Sequence, residues 1–81
     1  MLFMVIQTHA PENCPVKEHG GSKLLYDPHA EGVSLKAAYG DYPHHIIYYV
    51  LEADSAEAVE RFLAPGMTRC TATVAPVAAE A

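Results

Sequence analysis

Tryptophan is absent from this chain, cysteine occurs twice, and basic side chains number five. Each scarcity removes a class of explanation. Cys14 and Cys70 make one disulfide at most, so the chain is not the disulfide scaffold that small secreted domains use. The basic residues Lys17, Lys23, Lys36, Arg61 and Arg69 are scattered along the chain. Nucleic acid is held by clustered Lys and Arg, and no cluster is present. A formal net charge of −5 favours solubility and selects no particular partner. No apolar run approaches the roughly 20 residues that span a bilayer. The opening Met1-Leu2-Phe3-Met4-Val5-Ile6-Gln7 has neither a basic region nor a small-residue cleavage site, so it does not read as a signal peptide. The expectation is a cytoplasmic protein with reduced thiols and no membrane partner. Gly20-Gly21 is too short for a phosphate cradle, and no nucleophile triad or dinucleotide fingerprint is visible.

What is there is a chain of 81 residues, enough for one domain over 1–77 with a frayed tail at 78–81. A domain of this size buries only about 60 % of its unfolded surface and is marginal alone. A metal or a second subunit commonly supplies the missing stability.

Residues 2–9 are an apolar run of strand length, ended by Ala10-Pro11. Residues 11–32 carry Pro11, Pro15, Gly20, Gly21 and Pro28, so a short broken helix within 13–26 and a loop after it are expected. Residues 33–39 read as a second strand, and Gly40-Asp41-Tyr42-Pro43 as a turn. Residues 44–53, rich in β-branched and aromatic side chains, read as a third strand paired with the second in a hairpin. Asp54-Ser55-Ala56-Glu57 has the capping-box pattern with Asp54 as cap, opening a helix with Ala58, Val59, Phe62 and Leu63 on one stripe. Pro65-Gly66 stops it, and 68–77 read as a fourth strand.

This order is an α+β, ferredoxin-like β-α-β-β-α-β unit. It predicts a four-stranded antiparallel sheet of order 4-1-3-2 with two helices on one face. Ile46, Tyr48 and Val50 alternate with Ile47, Tyr49 and Leu51, so the third strand is apolar on both faces. Two helices cover one face only. The other is expected to be buried against a second copy, in a homodimer.

Met1-Leu2-Phe3-Met4-Val5-Ile6, Glu52-Ala53-Asp54-Ser55-Ala56-Glu57 and Val74-Ala75-Pro76-Val77 resemble the dimeric α/β-barrel superfamily, above all its small bacterial members of unassigned function. Asp54-Ser55-Ala56-Glu57-Ala58-Val59 is also similar to the nickel-binding small α/β-barrel proteins, although their histidine positions have no one-to-one match here. The resemblance spans the chain outside 11–32 and implies two sheets facing each other in a homodimer. It implies no single activity, because the superfamily includes metal-binding proteins, cofactor-free monooxygenases, isomerases and haem-degrading enzymes.

Five histidines are the compositional oddity. In an antiparallel pair, the end of the first strand meets the start of the third. His9 is thereby expected beside His44 and His45, with Cys14 five residues further on. Imidazoles with a thiolate suit zinc or copper, with nickel also possible. The candidate metal ligands are His9, Cys14, His44 and His45, while His19 and His29 read as surface residues. Two other readings stand beside this one. Gln7 and His9 share a face with Phe3 and Val5, so a cavity near His9 could host a small molecule. With Tyr48 or Tyr49 nearby, His9 would then act as general base in a cofactor-free enzyme. The third reading is a structural or regulatory dimer without a ligand.

Overall fold

Along the first strand every second side chain is buried: Phe3, Val5, Gln7 and His9. That two-residue period fits a strand with one face covered. The computed structural model describes residues 1–80. Its strands are β1 (Leu2–His9), β2 (Val33–Asp41), β3 (Ile46–Ala53) and β4 (Cys70–Val77), and its α-helix is α1 (Ala56–Leu63). The strands form one antiparallel sheet of order β2-β3-β1-β4, as expected for a ferredoxin-like unit. Residues 78–80 follow β4 outside regular secondary structure; the last residue of the expected tail, Ala81, lies outside the described residues.

The two β-to-β crossovers differ. Between β1 and β2 the broken helix takes the form of three short 3-10 turns, Pro11–Asn13, Pro15–Lys17 and Gly21–Leu25. Pro11 and Pro15 each begin a turn, where a fixed φ helps and a missing N–H does no harm. Gly20 takes a φ of 99°, which ends any continuous helix there. The second crossover is α1, with Ala58, Val59, Phe62 and Leu63 buried. Its cap is Ser55, whose Oγ accepts from the Ala58 N–H at 3.2 Å, and not Asp54. Asp54 falls one residue early, and its own N–H is donated to the Gly32 carbonyl.

Both crossovers cover one face of the sheet. Tyr26 stacks on Phe62 at 5.1 Å, and Tyr49 meets both rings edge-on. The Asp27 N–H donates to the Phe62 carbonyl at 2.8 Å, tying the irregular crossover to α1. Beneath them, Gln7 is buried but satisfied: it donates to the Leu25 carbonyl at 3.0 Å and accepts from the Tyr49 hydroxyl at 2.7 Å. Burial pushes the Tyr49 phenol far up, so it remains a neutral donor. Gly66 makes this contact possible, since a Cβ there would stand 2.5 Å from the Leu25 carbonyl oxygen and 2.8 Å from Gln7 Nε2.

The opposite face carries Leu2, Met4 and Ile6 from β1, facing Val50 and Tyr48 on β3 and Val77 on β4. Tyr39 lies across from Tyr48. Met4, Ile6, Tyr39 and Val77 are exposed on it. No helix among the described residues is long and apolar enough to cross a membrane.

Candidate metal centre

His9 ends β1 and is buried, with the backbone pairing it to Cys70 on one side. On the other side its N–H donates to the His45 carbonyl at 3.2 Å. His45 is not in β3. Residues Tyr42–His44 form a 3-10 turn, and the His45 N–H donates back to the Tyr42 carbonyl. The chain then reverses through His45 in the left-handed region, with φ 56° and ψ 48°. It is the one described non-glycine residue with positive φ. Glycine is the default at such a position, and a side chain there is commonly retained for function.

That conformation turns the two imidazoles toward one another. Their centroids are 5.1 Å apart with planes at 75°, and His45 Nδ1 stands 3.3 Å from His9 Nε2. Cys14 joins them from the junction of the first two 3-10 turns. Pro15 forces the residue before it out of the helical region, and Cys14 is accordingly extended at φ −67°, ψ 126°. Ligand atoms of His9, Cys14 and His45 all lie within 4.8 Å of one another. Cys14 is half-buried and free.

The segment holding Cys14 is fastened to the start of β4. Arg69 donates twice to the Glu18 carboxylate, at 2.6 and 2.7 Å, and this bidentate pair holds the Glu18 carboxyl below its usual range.

Burial and the neighbouring His45 lower the pKa of His9, so its ring is neutral near pH 7. A neutral ring has the lone pair that a metal needs. Its Nδ1 is buried with no hydrogen-bond partner among the described residues. Such an orphan is unfavourable by about 1–3 kcal/mol; the nitrogen that approaches His45 is the other one, Nε2.

Spacing supports the same chemistry. Two nitrogens bound to a tetrahedral zinc ion at about 2.05 Å stand about 3.3 Å from one another. The imidazole nitrogens already have that separation. The same geometry places a sulfur roughly 3.6 Å from each nitrogen, and the Cys14 sulfur lies within 4.8 Å of both imidazoles' ligand atoms.

His44 lies apart from this group. Its Nδ1 is 2.9 Å from Asp41 Oδ2, and its side chain is 74 % exposed. The expected four-residue cluster thus divides at the turn, because His44 closes the 3-10 turn while His45 takes the left-handed conformation after it. His19 and His29 are exposed. Cys70 adjoins His9 in the sheet, but burial pushes its thiol up and keeps it protonated. Tyr49 is taken by Gln7, and Tyr48 belongs to the opposite sheet face, so neither assists His9.

A cavity of about 620 Å³ lies beside the group and is bordered by all three of its residues, with Val16, Asp41 and Ile46 among its other walls. Sequence alone gives no sign of those walls, because most come from the irregular crossover and the turn after β2.

Comparison with curated proteins finds no match, and comparison with solved structures finds none. One family model matches residues 1–81. The chain belongs to the DUF3303 family, a domain of unknown function.

Proposed function

We propose that this protein is a transition-metal-binding protein that holds one ion per chain through His9, Cys14 and His45. The observation that carries this reading is the 3.3 Å approach of two imidazole nitrogens with the Cys14 thiol beside them. Two imidazoles and one thiolate are ligands for zinc first, with copper and nickel as chemical competitors. Three protein ligands leave a fourth position open, as in catalytic zinc sites and unlike closed structural ones.

The protein is proposed to act as a homodimer in the cytoplasm, where Cys14 stays a thiol. The uncovered apolar sheet face supports the dimer, in keeping with the resemblance to dimeric α/β barrels. His44 has no role in the proposed site.

Equilibrium titration of the apo protein against a chromophoric zinc chelator tests the reading. About one zinc ion binds per chain. His9→Ala, Cys14→Ser and His45→Ala each weaken binding by at least about a hundredfold, while His44→Ala leaves it unchanged. Equal affinity in all four variants contradicts the proposal.

A second reading is favoured by the cavity: a small-molecule enzyme without metal, with neutral His9 as proton acceptor. It predicts that ligand binding is indifferent to Cys14→Ser and to chelators.

A further inference from the structure

Resting on the metal reading, we infer that the ion's open position takes an anionic donor carried by a small apolar organic molecule whose body sits in the adjoining cavity. The cavity of about 620 Å³ falls within the range that holds small organic ligands. His9, Cys14 and His45 form one wall, and Pro15, Val16, Leu25, Ile46 and Ile47 supply apolar walls. Because all three ligands border the same space, the missing fourth ligand of a tetrahedral ion is directed into it.

Charge selects the donor. A divalent ion with one thiolate and two neutral imidazoles keeps one positive charge. Beside apolar walls that charge is unfavourable until an anion joins it. Asp41 also borders the cavity, but its carboxylate pairs with the His44 ring at 2.9 and 3.0 Å and is not one of the grouped ligands. The open position is therefore left to an anionic donor on the bound molecule. Apolar walls then favour a ring over a small hydrated ion, through the surface removed from water.

Benzohydroxamate and acetohydroxamate test this, since they share a chelating anionic head and differ in the ring. The full chain is loaded with cobalt(II) in place of zinc. Thiolate-to-cobalt charge-transfer absorption reports the Cys14 bond, and the visible d–d bands report the added ligand. Benzohydroxamate is expected to saturate the d–d change at a concentration at least about tenfold lower than acetohydroxamate. Val16 is 71 % exposed at the cavity, so Val16→Glu leaves the fold and the charge-transfer band intact and removes the preference. Equal affinity for the two anions overturns the inference. So does benzohydroxamate binding that is as tight without metal as with it. If cobalt loading gives no charge-transfer band, the metal reading fails first and the inference with it. If the band is present without a ring preference, only the inference fails.

Discussion

His45 grips His9 twice, accepting its backbone N–H at 3.2 Å and presenting Nδ1 at 3.3 Å from its Nε2. The double contact depends on the left-handed backbone of His45. Glycine adopts that conformation without the steric penalty. His45→Gly is therefore expected to keep or raise apo stability, within about 1 kcal/mol, while zinc affinity collapses. Chemical denaturation and chelator competition measured on the same sample check the pair of outcomes. Parallel loss of stability and affinity would assign His45 a packing role instead.

Acid acts on the metal-free protein through His9. Its pKa in the folded state lies below the 6.5 of an unperturbed histidine, through burial first and the charge of His45 second. Below pH 6.5 the unfolded chain therefore binds a proton that the folded chain resists. The associated stability is fully present above 6.5 and is lost as pH falls through the folded value. Urea midpoints of the apo protein are expected to fall between pH 7 and 5, and less steeply in His9→Gln. Identical slopes in the two proteins would remove His9 as the cause.

Gly66 is fixed by close approach. An added methyl would meet the Leu25 carbonyl oxygen at 2.5 Å and Gln7 Nε2 at 2.8 Å. Gly66→Ala is expected to destabilise by about 2–4 kcal/mol, combining overpacking with loss of the Gln7 hydrogen bond. The measurement is urea unfolding. A change below about 0.5 kcal/mol, the size of an ordinary surface substitution, would show that the contact relaxes freely.

The uncovered sheet face makes its own prediction. Ile6 is 38 % exposed at its centre, between Tyr48 and Thr73. The proposed dimer gives a two-chain mass in light scattering at micromolar concentration, and Ile6→Glu gives one chain with retained circular dichroism. A one-chain mass for the unmodified protein would contradict the dimer.

Strand alternation made much of this architecture readable in advance. Phe3, Val5 and Gln7 share a face of β1 in sequence and in structure, and antiparallel pairing of β1 with β3 places His9 at the turn before β3. The break between His44 and His45 was not readable. A 3-10 turn followed by a left-handed residue differs from a strand start by a few dihedral angles, and histidine signals a left-handed position far more weakly than glycine does. Residues 11–25 were equally opaque, since two prolines and two glycines are compatible with several paths. Tertiary contacts choose among these paths: the bond from Gln7 to Leu25 and the clasp of Arg69 on Glu18. The walls of the cavity follow from that path; Gln7 and His9 on one strand face signal only that a cavity lies near His9.

X-ray absorption at the zinc edge of the metal-loaded protein tests the central claim most directly. The account predicts a first shell with one sulfur at about 2.3 Å and two imidazole nitrogens at about 2.0–2.1 Å, completed by a lighter atom. The sulfur is expected to vanish in Cys14→Ser. A shell of oxygen and nitrogen alone in the unmodified protein would contradict the account.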